Sequence, residues 1–399
     1  MRNDVFVVSA VRTAIGAFGG SLAAVAPTEL AKQVVRAALD RASVESRHVG
    51  QVVFGHVINT EPADMYLSRV AALNGGCDNT CSAFNVNRLC GSGLQAIVSA
   101  AQSILLGDVE VAVAGGAESM SRSPYLSQGA RWGARMGDMT LVDAMTGVLH
   151  DPFFGIHMGV TAENVAESWK INRAAQDELA HESHMRAQQA IQDGRFSGQI
   201  VPITIKNKGK ESKFDADEHV RMDSKLSDFS ALRPVFRRET GTVTAGNSSG
   251  INDAASAVVL ASGHAVSTYG LKPLARLVAY AHSGVDPKFM GIGPVPATRA
   301  VLKRAGLAVS DLDVVEANEA FAAQALAVMK ELGLDPKKVN PNGSGISLGH
   351  PIGATGSIIA TKAIHELRRI GGRYALVTMC IGGGQGIAAV FENTDSQSV

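Results

Sequence analysis

The sequence predicts an α/β fold made of two similar halves with an inserted loop domain. Three observations carry this reading: an internal repeat, strand-like uncharged runs alternating with helical ones, and a middle stretch matching neither half. "RASVESRHVGQVVFGHV" (41–57) aligns without a gap on "RAGLAVSDLDVVEANEA" (304–320). "CGSGLQAIVSAAQSILLGDVEVAVAGG" (90–116) pairs in the same way with "GATGSIIATKAIHELRRIGGRYALVTM" (353–379). Each copy runs helix, polar turn, strand, then a glycine-rich entry, helix and buried strand. At 399 residues the chain also exceeds what a single core accommodates.

Taken in order, "VFVVSAVRT" reads as a strand, because its apolar run is short and ends at Arg12. It opens a first half over residues 1–120. Residues 121–241 form the insert, with a helical stretch at "TAENVAESWKINRAAQDELAHESHMRAQQAIQDG" and the charged run "KNKGKESKFDADEHVRMDSK". That run is either a solvated loop or a lid over a polar ligand. "TVTAGNSSGINDAASAVVLAS" returns as a strand, a glycine turn and an apolar helix or strand, completing the first half within about 242–268. The second half occupies 269–399. Within it "YALVTMCIGGGQGIAAVF" (374–391) carries no charge, but its central glycines and Gln favour two buried strands and a turn over a membrane-spanning helix.

Thirty-seven basic residues balance thirty-seven acidic ones, so no global field favours nucleic acid or an anionic membrane. Four cysteines without a C-x-x-C pair indicate neither a disulfide scaffold nor a zinc site. We expect no metal, no resident cofactor and a cytoplasmic location.

Chemistry concentrates at four places. In "NRLCGSGLQA" Cys90 precedes a helix, where exposed N–H groups lower a thiol pKa; the alternative is a buried small hydrophobe. Gly91, Ser92 and Gly93 leave room there for a substrate. The same glycines match a dinucleotide-binding turn by spacing, but no apolar strand precedes them. His350 lies in the glycine-rich "NGSGISLGHPIGATG", open to close approach by a ligand, with His157 a second candidate. Cys380 ends a strand and runs into Gly382, Gly383 and Gly384, whose N–H groups are free to meet an oxyanion. Glu316, Asn318 and Glu319 in "EANEAFAAQ" are either a helix cap or catalytic.

"VNRLCGSG", "NEAFA", "GISLGHPIGATG" and "LVTMCIGGGQG" together resemble the signature segments of the thiolases, in order and over essentially the whole chain. The resemblance implies a five-layered αβαβα core and a homotetramer. It also implies that acetyl-CoA, short acyl-CoA and 3-ketoacyl-CoA are substrates rather than cofactors. Cys90 would carry the acyl group, His350 would deprotonate it, and Cys380 would be the acid/base at the α-carbon. Asn318 would fix a water in one oxyanion hole with His350, and the backbone N–H groups of Cys90 and Gly382 would form the other. Coenzyme A would meet Leu149, His157, Met158, Arg221, Phe236, Ala245 and Ser249, with Met290 and Phe321 near the acyl group. Asp228 stands where a Ser is common, and Ser344 where Gly is usual. In its "NGSG" and "MCIGGGQGIAA" the chain looks nearest the broad-specificity bacterial β-ketothiolases of polyhydroxyalkanoate synthesis. The alternative within the family is a degradative thiolase for longer chains.

Overall fold

The structure is a computed structural model and describes residues 4–207 and 209–395. Strand β1 (Val5–Thr13) is followed by helix α1 (Pro27–Ala42), strand β2 (Gln51–Gly55), helix α2 (Leu67–Gly75) and strand β3 (Ser82–Val86). Helix α3 (Ser92–Leu106) then leads to β4 (Val111–Ser119). After the insert, β5 (Asn252–Ser262) closes this first sheet in the order β3-β2-β4-β5-β1.

The second sheet is built from β6 (Ala275–Gly284), β7 (Val314–Ala317), β8 (Tyr374–Ile381) and β9 (Gln385–Asn393), in the order β7-β8-β9-β6. Two residue pairs between β1 and β6, Phe6 with Arg276 and Val7 with Ala275, join the sheets into one. The aligned segments fold into equivalent elements. Helix α3 corresponds to the equally long α8 (Thr355–Arg369), and β4 and β8 begin at aligned residues.

Three apolar layers hold the halves together. The outer one lies between α1, α2 and the first sheet, including Leu30, Val34, Val113 and Val259. The central one joins Leu94, Ile97 and Val98 of α3 to Ile359, Ala363 and Leu367 of α8, with one face of each sheet closed on them. The third packs Val301 of α6 (Pro294–Ala305) and Met329 of α7 (Ala322–Leu332) with Leu376 and Val390. Strand β8 shows the periodicity behind this: Ala375, Val377 and Met379 enter the central layer while Leu376 enters the third. Layer order is therefore helix, sheet, helix, sheet, helix. Among the described residues one segment, Leu89–Leu106, is apolar and long enough to cross a membrane, and it is this central helix.

Residues 120–251 leave β4 and return as β5. The helical stretch is two helices, α4 (Met158–Trp169) and α5 (Arg173–Gln192), separated at Lys170, which takes a left-handed φ of 56°. The charged run is not a plain loop. Its start forms a hairpin, Ile203–Asn207 against Lys210–Phe214. Asp217 then pairs bidentately with fully buried Arg12 at 2.7 and 2.9 Å, and Glu218 accepts the N–H groups of Ala17 and Ser21. Asp217 thus straps the insert to β1, while Glu218 holds the segment after β1 from the surface and most other charges of the run face water. Residues 242–251 form no regular strand; β5 begins only at Asn252.

Candidate active site

Cys90 sits on a tight turn between β3 and α3. Leu89 before it is held in the left-handed region at φ 48°, a strain on the order of 1 kcal/mol for a residue with a side chain. Ser92 pins the turn, accepting the Arg88 N–H at 2.8 Å and donating to Leu89 O at 2.6 Å. The glycines beside the thiol do not make room for substrate. A Cβ on Gly91 would lie 2.5 Å from Cδ1 of Ile381, and one on Gly93 2.7 Å from the Ser357 nitrogen. Their smallness lets α3 close on α8 and β8, bringing a thiol of one half against the loops of the other.

On that other side, the loop before α8 carries His350. Its N–H donates to Asn252 Oδ1 at 3.0 Å, and Gly353 N donates to Glu118 Oε2 at 2.9 Å. Glu118 also accepts the Val57 and Ile58 N–H groups, so one buried carboxylate at the end of β4 braces loops of both halves. His350 Nδ1 lies 2.7 Å from Thr355 Oγ1, and Nε2 lies 3.5 Å from Asn318 Nδ2. Burial lowers the His350 pKa to about 4, so the imidazole is neutral at pH 7.

Cys90, Cys380 and His350 line one cavity of about 220 Å³. Gly382, Leu149, His157, Met158 and Phe236 share its wall, as do Ser249, Met290 and Phe321. Burial pushes the Cys90 thiol above its ordinary value. The Gly382 N–H and its own N–H, both directed at the sulfur, oppose this without overcoming it. The expected lowering by the helix terminus is thus outweighed by desolvation. Cys380 is pushed up as well, first by burial and then by the neighbouring Cys90. His157 caps α4 by accepting the Gly159 N–H on Nδ1 at 3.0 Å, which leaves the proton on Nε2, and its ring stacks on Phe236 at 4.7 Å. Burial, then His150, lowers its pKa.

The remaining expected positions lie elsewhere. Arg221 and Ala245 are exposed and outside the cavity wall; the Arg221 N–H donates to His184 Nδ1 and its guanidinium lies 5.8 Å from the Phe229 ring centre. Asp228 accepts the Lys225 N–H and caps a short helix. The Asn/Glu cluster divides. Asn318 is buried beside His350, and its Oδ1 accepts no hydrogen bond from the described residues. Glu319 turns away to Ser183 and Asn340, and Glu316 pairs with Lys362 at 2.7 Å. Buried Ser344 belongs to the same polar network through Ser183 and Ser347, and does not line the cavity. Sequence reasoning missed Met120, Ile352 and Ser248 in the wall. Met120 was signalled only by its place just after strand β4.

Cys90, Asn318 and Cys380 all lie at the C-terminal ends of parallel strands, where α/β folds place ligands. The thiolase N-terminal domain model matches residues 5–264, and the thiolase C-terminal domain model matches 271–393. The chain belongs to the thiolase family. It is 69% identical to the beta-ketothiolase BktB of Cupriavidus necator, over 98% of this chain and 100% of that protein. An acetyl-CoA acetyltransferase of the same organism is 47% identical over 98% of this chain and 99% of its own length. Among solved structures, human mitochondrial 3-ketoacyl-CoA thiolase superposes with a TM-score of 0.96 at 44% identity, covering 98% of this chain and 99% of that one. The αβαβα layering is accordingly the thiolase fold. Two thiols, Cys90 and Cys380, face the same cavity of this thiolase chain.

Proposed function

We propose that the chain is an acyl-CoA C-acetyltransferase of the β-ketothiolase type, joining acetyl-CoA to acetyl-CoA or a short acyl-CoA. The observation that carries this is the convergence of Cys90, Cys380 and neutral His350 in one apolar cavity. His350 Nε2 takes the Cys90 proton, and the thiolate attacks the acyl carbon. The bond to CoA breaks, the acyl group stays on Cys90 as a thioester, and the departing CoA thiolate takes the Cys380 proton. The Cys380 thiolate, made strongly basic by burial, removes the α-proton of acetyl-CoA. The carbanion attacks the Cys90 thioester, the 3-ketoacyl-CoA leaves, and Cys90 recovers its proton from His350. The Cys90 and Gly382 N–H groups that meet the sulfur at rest are the donors assigned here to the developing oxyanion.

The neighbour of Asn318 is His350, and its unpaired Oδ1 suits a water held for the other oxyanion hole. Arg221 and Ala245, outside the cavity, are left as contacts for the outer part of CoA. The reading includes a cytoplasmic homotetramer of the kind used in polyhydroxyalkanoate synthesis. Trp132, Met136 and Phe153, 86%, 97% and 69% exposed on the insert, are apolar surface suited to assembly.

Mass spectrometry after incubation with acetyl-CoA tests the mechanism. One acetyl adduct on Cys90, absent in Cys90→Ser, is expected; an adduct confined to Cys77 or Cys81 would overturn it. Thiolysis of 3-ketoacyl-CoA from four to ten carbons tests the subtype, and peak activity at the long end would favour the degradative alternative.

A further inference from the structure

We infer that Thr355 is the positioning residue that sets the tautomer of His350, placing the proton on Nδ1 and leaving the Nε2 lone pair for the Cys90 proton. Thr355 begins α8, and its hydroxyl has two neighbours: His350 Nδ1 at 2.7 Å and Pro351 O at 2.9 Å. A hydroxyl has one proton. Pro351 O is an obligate acceptor, so when the proton goes there Oγ1 is left to accept Nδ1–H. On the opposite side of the ring the Asn318 amide comes no nearer to Nε2 than 3.5 Å, the outer limit of a hydrogen bond, so the Nε2 lone pair stays free for a closer donor. Both contacts of the Thr355 hydroxyl are then donor to acceptor. The other tautomer would turn the Thr355 proton to Nδ1 and withdraw it from Pro351 O. That arrangement makes one fewer hydrogen bond within a buried site.

The partner's chemistry fits the task. Burial keeps the ring neutral, so one nitrogen must be chosen as base, and among the described residues it is a hydroxyl, not a carboxylate, that meets Nδ1. A hydroxyl fixes the tautomer without adding a charge that would trap the imidazolium. Once Nε2 has taken the Cys90 proton, Nδ1–H still rests on Thr355 and the new Nε2–H is the oxyanion donor. One side chain thereby supports both duties given to His350.

This inference deepens the proposed function and rests on it for the catalytic consequence, while the tautomer itself is measurable without turnover. In ¹⁵N-histidine-labelled enzyme, with His350 assigned by its loss in His350→Asn, Nδ1 is expected to be pyrrole-like and Nε2 pyridine-like. Thr355→Val is expected to mix or invert that pattern and slow single-turnover acetylation of Cys90 by on the order of tenfold to a hundredfold. Thr355→Ser, which keeps the hydroxyl, is expected to restore both. A resting Nε2–H tautomer in the wild-type enzyme, or wild-type acetylation by Thr355→Val with an altered spectrum, overturns the inference. Should wild-type Cys90 not acetylate at all, the proposed function fails instead, and the spectrum still judges the tautomer.

Discussion

Gly93→Ala tests whether the closeness of the two halves, and not free space for substrate, is what the glycines after Cys90 provide. The added Cβ would stand 2.7 Å from the Ser357 nitrogen and 3.0 Å from Ala354 O, both backbone atoms of the α8 entry. Restoring ordinary contact at 3.4 Å moves the first of these back by about 0.7 Å, the difference between 3.4 and 2.7. Neither atom belongs to a flexible side chain, so α3 and α8 must separate. Cys90 precedes α3 and His350 precedes α8, and the gap therefore opens between thiol and base. Overpacking of this kind costs about 1–3 kcal/mol of stability. A displacement approaching 1 Å costs on the order of a hundredfold in reactivity. The assay is the rate of Cys90 acetylation in a single turnover, beside a urea titration. Gly107→Ala is the control. It strains the other end of α3, at φ 83°, with nothing within 4 Å of its Cβ, and is expected to lose about 1 kcal/mol with an unchanged acetylation rate. Wild-type acetylation in Gly93→Ala, or equal slowing in both variants, would refute the reasoning.

Cys380→Ser is expected to acetylate Cys90 yet lose condensation, since a serine hydroxyl is too weak an acid and too poorly ionised to exchange the α-proton; retained condensation removes Cys380 as base. His350 has a folded pKa of about 4 against an ordinary 6.5, so its contribution to stability is present above pH 6.5 and is lost as pH falls toward 4. The wild-type enzyme is therefore expected to lose up to about 3 kcal/mol more than His350→Asn across that window, read by urea titration at each pH. Arg12→Met leaves Asp217 charged and fully buried without its partner, which costs about 3–5 kcal/mol. Limited proteolysis of the Arg12→Met protein is expected to cut first in the charged run 206–225; an unchanged cleavage pattern would remove its role as a strap.

Periodicity and repeat carried most of the architecture. The gapless alignments located α3 against α8 and β4 against β8 because each half buries its elements in the same layered way, and burial on both faces leaves uncharged runs. The motif segments likewise brought Cys90, His350 and Cys380 forward, since reactive side chains framed by glycines stand out in any sequence. The insert was less legible. Arg12 and Asp217 lie far apart in the chain, so nothing local marked Asp217 as a buried carboxylate in a run that is otherwise largely exposed. The same holds for Glu316 and Glu319, whose polarity left a helix cap or catalysis open, whereas Lys362, Ser183 and Asn340 occupy them.

By itself, then, the sequence determined the chemistry available: two thiols, a histidine and glycine-lined approaches on a duplicated α/β frame. Only the tertiary structure decided what those groups are. Burial raises both thiols where the helix terminus alone implied a lowered one, and the Thr355–Pro351 contact assigns the proton on His350. The physical reason is that composition and period report which groups exist and which face they take. Protonation depends on desolvation and on partners brought together from both halves of the chain.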